Sequence, residues 1–142
     1  MTPFQVYILA ADCDFYEGPC ESLTVPTLQG QYGILANHSN MIGAVIPGTL
    51  RYQIPGQEPK IAAVSAGLVK VENNEVLILV DSAERPEDID ANRARRAADR
   101  AREELLQKKS MQEYRTVQAS LARAINRLRV KNNYQNNLNV TE

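Results

Sequence analysis

The spacing of apolar and polar positions along this chain changes once, near residue 84. Before that point the rhythm is short. Phe4-Gln5-Val6-Tyr7-Ile8-Leu9 predicts a strand. Phe15 to Pro19 predicts a strand end and a turn. From Cys20 to Val25, Leu23 and Val25 alternate with Ser22 and Thr24 until Pro26 stops the run. Gly30-Gln31-Tyr32-Gly33-Ile34-Leu35 predicts a hairpin with a strained or bulged position. Met41 to Ile46 closes on Pro47-Gly48, and the alternating Leu50 to Ile54 closes on Pro55-Gly56. Ile61 to Val64 and Gly67 to Val71 follow. Asn73-Asn74, a pair tolerant of positive φ, predicts a tight hairpin into Val76-Leu77-Ile78-Leu79-Val80. Short strands at even spacing, with no helical period among them, predict an antiparallel β-sandwich or flattened barrel.

After residue 84 the period lengthens. Pro86 suits a helix start, the acids around it favour the positive end of a helix dipole, and Asp88 and Asp90 are both candidate N-caps. Ala94, Ala97, Ala98, Ala101 and Leu105 then recur at helical spacing, a small-residue stripe that admits a second helix closely. Ser110-Met111-Gln112-Glu113 reads as a capping box, and Val117, Leu121, Ala124, Ile125 and Leu128 make the next stripe. The fold class expected is α+β, an N-terminal antiparallel β-sandwich followed by a C-terminal two-helix antiparallel hairpin. The boundaries expected are 1–84 for the sandwich, 85–131 for the hairpin and 132–142 for a polar, disordered tail, where asparagines crowd.

Charge sharpens this division. Residues 1–87 carry ten acids against Arg51, Lys60, Lys70 and Arg85, and residues 88–142 carry seven acids against twelve bases. The helical part should therefore prefer an acidic partner. Chemistry is sparse. One histidine, His38, lies in a polar turn without catalytic company, no nucleophile has a spaced base, and no metal-ligand cluster or phosphate loop occurs. Cys13 and Cys20 read as reduced thiols, although neighbouring strands could bring them close. Met1 to Gln5 has no basic stretch before an apolar core, so no signal peptide is expected, and no apolar run reaches the ~20 residues that span a bilayer. An autonomous enzyme is not expected.

The arginines are the exception to this plainness. Arg93 and Arg100 are seven apart, and Arg123 and Arg127 are four apart, so each pair shares one side of its helix. If the apolar stripes pack, four guanidinium groups gather on one flank. Solvated faces with intrahelical pairs, Asp99 and Glu103 with Arg96 and Arg100, are the plainer interpretation. An anion site is the sharper one, because guanidinium forks suit phosphate. A nucleic-acid-binding hairpin on a β scaffold and a stand-alone nucleotide sensor are the alternatives. Single-strand binding would want aromatics among the arginines, where only Tyr114 and Tyr134 occur.

Together these motifs resemble the ε-subunit family of bacterial F-type ATP synthases, over nearly the whole chain. The residues that carry the likeness are Gly30-Gln31-Tyr32-Gly33-Ile34-Leu35, His38, Pro47-Gly48, Ala66-Gly67-Leu68-Val69-Lys70-Val71, Ala83-Glu84, Ile89-Asp90-Ala91-Asn92-Arg93-Ala94 and Arg123-Ala124-Ile125-Asn126-Arg127-Leu128. Ala36-Asn37 departs from the family's proline and glycine before the histidine.

The resemblance implies a ten-stranded sandwich at the base of a central stalk, bound to the γ subunit and the c ring. It implies a non-catalytic coupling subunit, peripheral on the cytoplasmic face of the bacterial cell membrane and touching the membrane only through the complex. It further implies a hairpin that opens, meets the α and β catalytic subunits and blocks ATP hydrolysis. No cofactor is required, and no nucleic acid is expected. Some relatives hold ATP as a regulatory ligand on the folded hairpin, and the matching positions here are Glu84, Ile89, Asp90, Arg93, Ala94, Arg100, Arg123 and Arg127. The connector Gln107-Lys108-Lys109 contains no helix breaker, whereas the Ser110 capping box favours a break there.

Overall fold

A computed structural model describes residues 2–106 and 111–140. The chain forms two compact units that meet between Arg85 and Pro86. The first contains β1 (Phe4–Ala10), β2 (Asp14–Cys20), β3 (Ser22–Thr27), β4 (Gly30–Ile34), β5 (Met41–Val45), β6 (Gly48–Gln53), β7 (Lys60–Val64), β8 (Gly67–Glu72), β9 (Glu75–Val80) and β10 (Ala83–Glu84). They make two five-stranded sheets, in the orders β2-β1-β9-β8-β5 and β10-β7-β6-β3-β4. Alternation along each strand sends one set of side chains into the space between the sheets. Val6, Ile8, Val69, Val71 and Ile78 from one sheet share a core with Leu23, Val25, Leu50 and Val64 from the other.

This is the sandwich that the alternation predicts, with corrections: Phe15 to Pro19, expected as a strand end and turn, lies wholly inside β2, Pro26 lies inside β3 and does not stop it, and one pairing is parallel. Pairing is antiparallel except between β1 and β9, which run parallel with Val6 opposite Val76 and Ile8 opposite Ile78. Gly33 lies in regular ladder register opposite Thr24, so β4 carries no bulge there, and the unusual backbone is at Gly30, φ 109°, the first residue of the strand. At Gly67 a Cβ would overlap the Leu79 carbonyl oxygen, which restricts that position to glycine. Cys13 and Cys20 do not approach one another. Cys13 precedes β2 and Cys20 ends it, which sets them roughly 20 Å apart at ~3.3 Å per residue, far beyond disulfide reach. Both are free, and burial pushes the Cys20 thiol up to about 11.

One end of the sandwich is tied by amides. Asn73 and Asn74 adopt φ of 51° and 63° and join β8 to β9 in a two-residue turn. Asn74 Oδ1 accepts the Asn37 backbone N–H at 2.6 Å, and Asn40 Oδ1 accepts the Asn73 N–H at 3.1 Å. Asn37 itself has φ 62°, the left-handed conformation that a glycine would otherwise supply. Replacement of the family's proline and glycine by Ala36-Asn37 therefore leaves a left-handed turn in place. Beside it, His38 Nδ1 donates to the Ser39 carbonyl at 2.8 Å, and its Nε2 is hydrogen-bonded with the Tyr32 hydroxyl at 3.0 Å.

The second unit begins with a single 3-10 turn over Pro86–Asp88, so Pro86 starts that turn and not the long helix. Then come α1 (Ala91–Leu106) and α2 (Met111–Val140), which pack together. The buried positions of α1 are Ala94, Ala98 and Ala101. On α2 Ala124 is buried and Val117, Leu121, Ile125 and Leu128 are half-buried. Asn126 and Val130, which the apolar period passed over, are buried too. The helix α2 runs to Val140, past residue 131 and into the asparagine-rich stretch expected to be a tail. Asparagine is a weak helix former, but neither glycine nor proline is present to end the helix. The connector Gln107-Lys108-Lys109 and the Ser110 cap lie outside the described residues.

Candidate functional site

The start of α1 is built by Asp90. Its backbone oxygen accepts the Ala94 N–H at 3.0 Å, and its Oδ1 accepts the Arg93 N–H at 3.1 Å, an N-cap in which Asp90, and not Asp88, serves. The Arg93 backbone N–H holds the Asp90 carboxyl below its usual range, with help from the Asn92 N–H and the positive charges of Arg96 and Arg93. Ile89, one residue earlier, is buried, and its amide donates to the Pro86 carbonyl at 3.2 Å. Two of the candidate residues thus shape the helix start, and a third, Ala94, is fully buried on the face of α1 that needs a small side chain.

The direction of α2 shows in one long-range contact. Lys131 Nζ donates to the Pro86 carbonyl at 3.1 Å, so α2 returns antiparallel to the start of the unit. This register levels the arginines unequally. Counting residues away from that contact along both helices places Arg93 near the level of Ala124, between Arg123 and Arg127. Arg100 lies two turns, about 10 Å, further along the axis. By this backbone count Arg93 falls near the level of Arg123 and Arg127, and Arg100 is offset along the axis.

The side chains differ in freedom. Arg93, Arg100 and Arg123 are exposed, and Arg127 is half-buried. Arg123 Nη2 donates to Ser120 Oγ at 3.0 Å, one turn back on its own helix. The ion pair seen on α1 joins Arg102 to Asp99 at 3.4 Å, in place of the expected pairs of Asp99 and Glu103 with Arg96 and Arg100. Glu84 belongs to the other unit, half-buried in β10 opposite Ala63. The remaining seven candidates, Ile89, Asp90, Arg93, Ala94, Arg100, Arg123 and Arg127, all belong to the helical unit.

Sequence reasoning missed Lys131 and Asn126. The signal for Lys131 was available in principle, since a hairpin folded about residues 107–110 brings residue 131 opposite residue 86. Among the described residues no group of three or more His, Cys, Asp or Glu could hold a metal ion, and no helix is long and apolar enough to cross a membrane. The Tyr134 ring, one of two aromatics in the basic half, lies 5.8 Å from the Lys131 ammonium.

Known proteins resemble this arrangement over most of its length. Residues 3–86 match the model of the ATP synthase delta/epsilon chain β-sandwich domain, and residues 87–132 match that of the long α-helix domain of the same chain. The ATP synthase epsilon chain of Caldanaerobacter subterraneus is 42% identical over 93% of this chain and 96% of its own. That of Ruminiclostridium cellulolyticum is 39% identical over 93% and 98%. Among solved structures, a chain of the Euglena gracilis mitochondrial ATP synthase (OSCP/F1/c-ring) superposes with a TM-score of 0.73 at 22% identity, covering 86% of this chain and 77% of that one. A chain of the Tetrahymena thermophila mitochondrial ATP synthase central stalk and c ring gives 0.67 at 11% identity, covering 89% and 95%. At those identities the two structures speak for the fold alone.

Proposed function

This chain belongs to the delta/epsilon family of ATP synthase subunits, and from that premise we propose that its helical unit is an ATP-responsive arm that restrains hydrolysis. As an epsilon-type chain it is a non-catalytic subunit of a machine that couples ion transport to ATP synthesis. Its place is the central stalk, with the sandwich against the γ subunit and the c ring, on the cytoplasmic face of the membrane. The arm, when open, reaches the α and β subunits.

The observation that carries this reading is the arginine array on a thinly packed hairpin. Arg93, Arg123 and Arg127 share a level, with Arg100 offset along the same unit. The buried positions of α1 are alanines, and burial stabilises by only ~25 cal/mol per Å² of apolar area. A seam of small side chains buries little, so the folded and open forms differ by a few kcal/mol, within reach of a ligand that favours one of them. ATP held only by the folded arm would add ~2.7 kcal/mol when free ATP is 100 times its dissociation constant. Guanidinium groups would take the phosphates. Asp90 would keep Arg93 at the head of α1. Ala94 keeps the seam narrow, and Ile89 anchors the lead-in.

Titration calorimetry of the full chain with ATP tests the site. Binding is expected, and Arg93→Ala and Arg127→Ala are each expected to lose severalfold or more in affinity while the sandwich stays folded. No heat at millimolar ATP removes the sensor. Reconstitution with the catalytic complex tests the brake separately, since a chain ending at Ala83 should relieve inhibition of hydrolysis.

A further inference from the structure

Lys131 makes a contact that can exist in only one state of the arm. Its Nζ donates to the Pro86 carbonyl at 3.1 Å across 45 residues of chain. The same carbonyl accepts the Ile89 amide at 3.2 Å, so both of its lone pairs are occupied. Pro86 and Ile89 are buried. Lys131 is half-buried, with its ammonium 5.8 Å from the centroid of the Tyr134 ring, within cation–π range. The lysine thus joins the returning end of α2 to the turn that launches α1.

Straightened into a single rod at ~1.5 Å per residue, those 45 residues would separate Lys131 from Pro86 by roughly 65 Å. A contact present in one state and impossible in the other biases the equilibrium by its whole net strength. We propose that Lys131 is the latch of the folded arm, and that neutralising its ammonium, by substitution or by acetylation, shifts the arm toward the open state. This inference rests on the arm being able to open, as proposed above. A charge-assisted hydrogen bond at a partly exposed position changes such a ratio by about three- to tenfold.

The test is a distance measurement between spin labels on the full chain, at Asn92→Cys and Asn133→Cys, both exposed positions, in a Cys13→Ser background that leaves only the buried Cys20. Lys131→Met keeps the apolar stem without the charge, and Lys131→Arg keeps a cationic donor. The Met variant is expected to raise the ratio of long to short distances about three- to tenfold, while the Arg variant stays within about twofold of the parent. A long-distance population of equal share in all three proteins overturns the latch and leaves the arm standing. A short distance alone in every variant overturns both.

Discussion

Replacing Ala98 with leucine probes whether close approach of two helices holds the arm down. Ala98 is 0% exposed, with Ala94 and Ala101 buried one turn to either side. A leucine there must displace its neighbours or leave its preferred rotamer. Overpacking of this kind costs ~1–3 kcal/mol. At 1.4 kcal/mol per tenfold, that shifts the ratio of folded to open arm by about 5- to 150-fold. ATP at 100 times its dissociation constant returns ~2.7 kcal/mol, so saturating ATP should reclose the arm over most of that range. The readouts are titration calorimetry of the full chain and hydrolysis by the reconstituted complex. Apparent ATP affinity should fall in proportion to the folded fraction, by at most that same 5- to 150-fold, because only the folded fraction binds. Inhibition of hydrolysis should deepen when ATP is scarce and return to the parent's level when it is abundant. Thermal unfolding of the sandwich should not move. A variant that binds ATP like the parent, with its sandwich intact, would refute the reasoning, since the alanine seam would then not govern closure.

Two further outcomes bear on the same architecture. Asn37→Ala places an alanine at φ 62° and should destabilise the sandwich by about 1 kcal/mol in urea titration, whereas Asn37→Gly should not; equal stabilities would mean that the turn relaxes freely. At Asp90 the folded carboxyl titrates below its ordinary value of 3.8. The folded state therefore binds that proton less readily than the unfolded one. The stability so gained is present above pH 3.8 and drains away as the pH falls through the depressed value. Far-ultraviolet circular dichroism should show the parent losing helix over that acid interval, with Asp90→Asn, which caps without titrating, showing a flatter limb; coincident acid limbs would remove Asp90 from the account.

Most of the sandwich could be read in advance, because alternation and turn chemistry are local properties. Asn73-Asn74 announced its hairpin through the backbone tolerance of asparagine, and Leu23 and Val25 announced the inward face of β3. The parallel pairing of β1 with β9 was hidden, since an alternating apolar run looks the same to a partner running either way. The arginines were found by spacing within each helix. Their level across the hairpin depends on the register of α2, which the packing of the two helices sets and the Lys131–Pro86 contact reports. Asn126 was missed for a related reason, since a buried polar residue breaks the apolar period that betrays a core position. The length of α2 was underread because composition signals a tail where only a weak helix former is present.

The parallel seam between β1 and β9 has a temporal side. β1 leaves the ribosome before the other strands of its sheet and has its second neighbour at residues 75–80, so the sandwich cannot close until nearly all of its own sequence has been made. Until then β1 can pair only with β2, leaving its other edge exposed. The helical unit follows the last of these strands in translation, so it emerges only after the sandwich has become able to close.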